Sequence, residues 1–221
     1  MTEAAPQRVA PDTGLRARIE HRLAREVGTG DPASARIAGL GPSQGLAAEL
    51  RRFLPKSWSR AAVLIPLVDR PGGLTVLFTQ RSSQLTHHPG QISFPGGRVE
   101  SIDAGPWEAA IRETEEEIGL SGEHIRRAGY LPDHLVISGY VVTPVVGFVR
   151  PGFELRLDHT EVEDVFEAPL EFLLDPAHHV ATQRRLGGHS FPTWDIPWQD
   201  RRIWGATAGM LLSLGELLQE P

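Results

Sequence analysis

The chain has 221 residues, with 28 acidic against 22 basic side chains, a formal net charge of -6, 40% hydrophobic residues and no cysteine. That balance argues against broad nucleic-acid or anionic-membrane binding, which need basic surfaces, and the lack of cysteine removes disulfide, zinc–thiolate and thiol chemistry. The length fits one domain plus an extension; with no apolar leader in residues 1–13 and no run of membrane-spanning length, a cytoplasmic location is expected.

Residues 1–13, rich in Pro, Ala and Thr, read as disordered or loosely attached. Leu15, Ile19, Leu23 and Val27 step by four and predict an amphipathic helix ending near Gly28. Residues 28–43 are broken by Gly and Pro and read as loop; residues 46–54 are a second helix candidate, stopped by Pro55. Residues 1–59 are thus expected to form an N-terminal extension, partly helical, ahead of a main domain over 60–221. Residues 60–68 open that domain as a buried strand, Pro71-Gly72-Gly73 turns, and residues 74–79 return as the partner strand. Gln91 to Phe94 is short and strand-like. Residues 127–132 and 140–149 read as strands, and Pro144 suggests that the second lies at an edge or carries a bulge. Residues 162–166 read as a strand, 169–174 as a helical turn or two, and 178–184 with 189–194 as a hairpin across Gly187-Gly188. Residues 203–218 predict a last helix, with Met210, Leu211, Leu214 and Leu218 on one face and Trp204 as a core residue at its start. Strands with few, widely separated helices give an α+β class, a sheet sandwiched between helices.

The chemistry concentrates in FPGGRVESIDAGPWEAAIRETEEEIGL, from Phe94 to Leu120. Gly105-Pro106 supplies a helix start, and Gly119, with Leu120 behind it, a left-handed stop. Ala110, Ile111, Thr114 and Ile118 form the apolar stripe of that helix. Glu113, Glu116 and Glu117 fall at i, i+3 and i+4, so their carboxylates are expected to share another face, where like charges oppose one another by roughly 0.2–0.5 kcal/mol per pair. Hard divalent cations such as Mg2+ take oxygen ligands of this kind. A bare acidic run usually means a solvated helix face. Here, though, Gly96-Gly97 follows a strand-like segment, and adjacent glycines let backbone approach a ligand or an ion closely.

These residues resemble the Nudix box, G-x5-E-x7-R-E-U-x-E-E-x-G-U with U aliphatic. Gly97 matches its opening glycine, and Arg112-Glu113, Glu116-Glu117 and Gly119-Leu120 match its second half. Asp103 stands where the first Glu would be, the spacer to Arg112 is one residue longer, and Thr114 replaces an aliphatic residue. Upstream, Leu77-Phe78-Thr79-Gln80-Arg81-Ser82 and the run on to Phe94-Pro95-Gly96-Gly97 are similar to the signature of the coenzyme A pyrophosphatase branch. The departure is Thr86, where that branch has Arg. The resemblance covers about residues 61–218 and implies a Nudix-type α/β/α sandwich with a mixed sheet.

The resemblance also implies roles. Glu113, Glu116 and Glu117 would hold Mg2+ or Mn2+ with the carbonyl of Gly96; Arg112 would orient a catalytic carboxylate; and Glu116 is favoured as the base. Glu161, from a late loop, is the choice for a further metal-ligating carboxylate, against an equal reading as surface charge. Arg81, a fork suited to phosphate oxygens, is assigned to substrate, with Gly97, Thr86, His87 and His88 lining the pocket. Glu100 and Asp103 read as turn residues without a direct catalytic role. The implied reaction is metal-dependent hydrolysis of a pyrophosphate linkage in a small nucleotide substrate: coenzyme A to 4′-phosphopantetheine and adenosine 3′,5′-bisphosphate. The alternatives are ADP-ribose or dinucleotide hydrolysis, or nucleotide binding without cleavage. No nucleic-acid or membrane partner is expected, and a homodimer stays open.

Overall fold

The computed structural model describes residues 13–23, 28–32, 34–37, 41–42, 55–86, 88–186 and 189–219. The expectations for residues 1–12, the helix candidate 46–54, Val27, His87 and the Gly187-Gly188 turn fall outside them. Among the described residues no helix is long and apolar enough to cross a membrane.

Strand β3 (Ser59–Arg70) is the spine of the larger sheet. It runs antiparallel to β4 (Gly73–Arg81) and parallel to β9 (Tyr140–Val149), and β4 in turn takes β10 (Val162–Pro169) as the far edge. β7 (Ile125–Tyr130) and β8 (His134–Val136) share the other side of β9, and β1 (Arg36–Ile37) and β2 (Gly41–Pro42) continue from β8. Alternate residues of β3 feed opposite cores, as period-two geometry requires. Ala61, Ile65 and Leu67 meet α1 (Thr13–Arg22), α3 (Leu170–Leu174) and α4 (Gly205–Gln219) through Ile19, Leu173, Leu211 and Leu214. Ala62, Leu64 and Val68 face α2 (Pro106–Ile118) through Ala109, Ala110 and Ile118. The result is the α/β/α sandwich with a mixed sheet. A second sheet, β11 (Val180–Leu186), β12 (His189–Trp198) and β13 (Arg201–Trp204), is antiparallel throughout.

What positions the site is a split in the larger sheet. β3 and β4 pair only over Leu67–Arg70 and Gly73–Val76. Beyond that they part, and β5 (Ile92–Ser93) takes β4 while β6 (Gly96–Arg98) takes β3. The Phe94–Pro95 link lies in the split, where the Pro95 carbonyl accepts the Leu64 N–H at 2.9 Å. Gly96 there has φ 147° and passes so close to β3 that a Cβ would sit 2.3 Å from the Ala62 carbonyl oxygen and 2.6 Å from the Val63 Cα. Only glycine fits.

Several expectations change. The first helix ends at Arg22, short of Gly28, although Ile19 and Leu23 are buried as its stripe predicts. Part of the 28–43 loop is strand, because Arg36–Ile37 finds the free edge of β8. β9 is central and not an edge: Pro144 points its carbonyl at the Leu131 N–H, opposite the changeover from β7 to β8. A strand residue's N and C=O face the same side, so the missing N–H of Pro144 falls on that break and costs no ladder bond. The last helix begins at Gly205, two residues after the expected Ile203, since Ile203 and Trp204 belong to β13. Trp204 is therefore not a core residue of that helix. It is half-buried, with the Arg184 and Arg202 guanidiniums 4.4 and 5.7 Å from its ring centre.

Candidate active site

Helix α2 starts as its sequence demands, with Pro106 in the first turn after Gly105, and stops at Gly119, φ 70°. Its last carbonyls are closed by the segment leading to Glu161: the Arg156 N–H bonds the Ile118 carbonyl at 2.8 Å and the Asp158 N–H the Glu117 carbonyl at 2.9 Å. Helix α2 and the late loop are thereby one unit.

Arg112 organises the outer half of the acidic cluster. Nε and Nη2 grip the Asp103 carboxylate at 3.0 and 2.9 Å, Nη1 donates to Glu113 Oε1 at 3.0 Å and Glu116 Oε2 at 3.1 Å, and Nη2 also reaches the Arg98 carbonyl at 3.1 Å. These contacts use the whole donor fork. The guanidinium in turn holds Asp103 below the usual carboxylate range, helped by the Glu100 N–H at 2.8 Å. Asp103 is thus more than the turn residue that the sequence suggested: it anchors the arginine that holds two of the glutamates.

The three glutamates do not share one solvent face. Glu116 is exposed, Glu113 is intermediate, and Glu117 is buried at 5% relative exposure among the inward residues of α2. Glu113 lies against Gly97, where a Cβ would come within 2.5 Å of its carboxyl carbon; burial raises its pKa despite Arg112. Glu117 accepts the Gly96 N–H at 3.1 Å. Burial pushes it up to about 8, offset in part by that bond and by the charge of Arg81, and reinforced by the negative charges of Glu113 and Glu161. Glu161, exposed at the end of the late loop, is close enough for its charge to reach Glu113 and Glu117.

Arg81 ends β4 opposite Val162, and its Nε is buried with no hydrogen-bond partner among the described residues. A guanidinium short of acceptors thus lies near a carboxylate that burial has made hard to ionise. The loop after it is closed by Arg81 N–H to the Gln91 carbonyl at 2.9 Å and Gly90 N–H to the Arg81 carbonyl at 3.1 Å. Thr86 is exposed on this loop. His88, exposed and at φ 58°, pairs its Nδ1 with Gln91 Oε1 at 3.0 Å, so it shapes the loop.

Among the described residues no three His, Asp or Glu side chains are drawn together at metal-holding distance. The donor set nonetheless fits a hard cation. It is all oxygen, its two inner members are raised by burial and by neighbouring carboxylates, and a divalent ion would relieve both.

Comparison with known proteins gives the family. The profile described as NUDIX domain matches residues 58–186. A protein named uncharacterized Nudix hydrolase NudL from Enterobacter sp. (strain 638) is 42% identical over 159 residues, covering 70% of this chain and 80% of that one. Its namesake from Escherichia coli (strain K12) is 41% identical over 156 residues, covering 70% and 80%. A solved Ap4A hydrolase of C. elegans in a binary complex is 23% identical with a TM-score of 0.44, covering 50% of this chain and 80% of that one.

Proposed function

The chain belongs to the Nudix family of hydrolases, pyrophosphohydrolases of small nucleotide substrates that use divalent metal ions, and from that premise we propose that its substrate is coenzyme A. The observation behind cleavage of a diphosphate linkage is that Arg81, whose buried Nε has no hydrogen-bond partner among the described residues, lies near Glu117, whose ionisation burial opposes. A metal-bound diphosphate would satisfy both groups at once. The Arg81 loop is also the segment similar to the coenzyme A pyrophosphatase signature.

In this mechanism Glu113, Glu116, Glu117 and Glu161 would hold Mg2+ or Mn2+, with the Gly96 carbonyl. The ion would neutralise the diphosphate and acidify a water. Arg81 binds the diphosphate oxygens and orients the linkage. Gly97 leaves room for the Glu113 carboxylate. Arg112, fixed by Asp103, holds Glu113 and the Oε2 of Glu116 in place, leaving Glu116 Oε1 to take the proton of the attacking water. The water oxygen bonds to one phosphorus, the bridging P–O bond breaks, and 4′-phosphopantetheine and adenosine 3′,5′-bisphosphate leave. Thr86 supports a second reading, hydrolysis of ADP-ribose or a dinucleotide, because an exposed threonine offers no cation to a phosphate outside the scissile linkage.

Nucleotide conjugates incubated with Mg2+ or Mn2+, with products read by mass, test the choice. Coenzyme A should be cleaved fastest, to those two products. Faster cleavage of ADP-ribose or a dinucleotide selects the second reading, and no cleavage of any conjugate removes both.

A further inference from the structure

The strand that follows Glu161 does not run regularly. β10 pairs Val162 with Arg81 and then Asp164 with Gln80, so Glu163 is an extra residue, a bulge, at the rim of the site. Bulges of this kind re-aim a side chain out of the ladder. Here the Glu163 carboxylate accepts the N–H of Ser83, in the loop just past Arg81, at 3.0 Å. One residue earlier, the Ser82 N–H bonds the Glu161 carbonyl at 2.8 Å. The first residues of the loop are therefore hung from the start of β10, one on its backbone and one on Glu163. Immediately behind the bulge, Arg201 ties the two strands together. It donates to Gln80 Oε1 at 3.1 Å and Asp164 Oδ2 at 2.6 Å, with its guanidinium 4.2 Å from the Phe166 ring centre.

We infer that Glu163 is a positioning residue, holding the Arg81 loop against the strand that follows Glu161 so that the phosphate-reading cation and the carboxylate cluster keep one spacing. This rests on Arg81 contacting the substrate's phosphates. The Glu163 carboxylate bonds the Ser83 N–H, so its effect on substrate runs through the loop. Ser83 and Glu163 are both exposed, so water competes for this bond and the effect is moderate. Because Arg201 and the rest of the β4–β10 ladder remain, removing the Glu163 carboxylate frees the loop without unfolding the strand pair.

The experiment compares wild type, Glu163→Ala and Glu163→Gln, the last keeping an acceptor oxygen. In hydrogen exchange, the Ser83 amide should exchange faster in Glu163→Ala, while the amides of residues 74–79 stay protected. In kinetics, Glu163→Ala should raise KM about three- to tenfold with kcat within about twofold, and Glu163→Gln should recover most of the loss. The half-saturating Mg2+ concentration should not move. Unchanged Ser83 exchange, or faster exchange with unchanged KM, overturns the inference, as does a Glu163→Gln variant no better than Glu163→Ala. If wild type cleaves no conjugate, the proposed function falls by itself. The positioning role is then read from the Kd of inorganic pyrophosphate with Mg2+, which should weaken by a similar factor in Glu163→Ala and stands refuted if it does not.

Discussion

Two buried polar clusters sit on opposite sides of β3, and they are finished to different degrees. At Asp133–His134 every group has a partner. Asp133 accepts from Thr143 Oγ1 at 2.7 Å and from the Gly30 N–H at 2.8 Å, while its carbonyl accepts the Arg36 N–H at 2.7 Å. His134 donates Nδ1–H to the Pro132 carbonyl at 2.9 Å, which leaves Nε2 to accept from Ser213 Oγ at 3.3 Å. Burial holds this imidazole neutral, its pKa lowered to about 4. At Glu117–Arg81, by contrast, a buried carboxylate is pushed up to about 8 and a buried guanidinium Nε has no partner among the described residues. A satisfied cluster specifies packing; an unsatisfied one is a cost that a ligand can remove. The first ties the N-terminal segment to the sheet, and the second is where the proposed function places substrate and metal.

The contrast breaks most visibly at Glu117. Glu117→Gln or Glu116→Gln should lower turnover at saturating Mg2+ by about a hundredfold or more while leaving the fold intact. Wild-type activity should vanish with a chelator and return with Mg2+ or Mn2+. Near-normal rates in both variants, or a chelator-insensitive hydrolase, would falsify the carboxylate assignment. The converse substitution is Asp133→Ala, which strands the Thr143 hydroxyl and the Gly30 N–H. It should cost about 2–4 kcal/mol and lower Tm by roughly 5–10 °C, with kcat per folded molecule nearly unchanged. A collapse of kcat at full stability would erase the distinction between the clusters.

Local periodicity made much of this legible, while contacts distant in sequence stayed hidden. The limits of α2, its Gly119 stop and the Glu113–Glu116 pairing follow from spacing alone. The burial of Glu117 was also readable: it stands three residues after Thr114 and seven after Ala110, on the inward stripe, but the neighbouring acidic residues masked that. Asp103 as the anchor of Arg112 was missed because a loop, and not a helical turn, brings them together. Asp133 had no local signal, since Gly30 lies 103 residues away. Glu163 acts through a bulge, which no alternation pattern reports.

The two clusters also titrate in opposite directions. His134 ionises more readily unfolded, near 6.5, than folded, near 4, so its contribution is complete above pH 6.5 and is lost as pH falls toward 4. Glu117 is raised from 4.5 to about 8, so its contribution is complete below pH 4.5 and is lost as pH rises toward 8. Between pH 6.5 and 8 only the Glu117 effect of this pair remains. Without divalent ions, wild-type stability should fall across that window by at most about 2 kcal/mol, and Glu117→Gln should remove the fall. Mg2+ should flatten it as well, by favouring the ionised folded state. Equal pH slopes in the two proteins would mean that Glu117 is ionised without cost.

The smallest effect tests how complete the unsatisfied cluster is on its substrate side. Thr86 stands on the Arg81 loop where the similar signature has Arg, and it is exposed. An arginine there would add a cation beyond the scissile linkage, within the loop that Arg81 begins. On coenzyme A the group within its reach would be the 3′-phosphate, which dephospho-coenzyme A lacks. A buried charge-assisted contact is worth roughly 1.5–3 kcal/mol, but solvent exposure brings this one to about 1 kcal/mol, or roughly fivefold. Wild type should therefore discriminate weakly between the two substrates, and Thr86→Arg should raise kcat/KM for coenzyme A about fivefold more than for the dephospho form. Because the added contact is to a non-reacting phosphate, the gain should appear in KM and not in kcat. A strong native preference for the 3′-phosphate that Thr86→Arg leaves unchanged would show that another cation already holds that group, and position 86 would then carry no specificity.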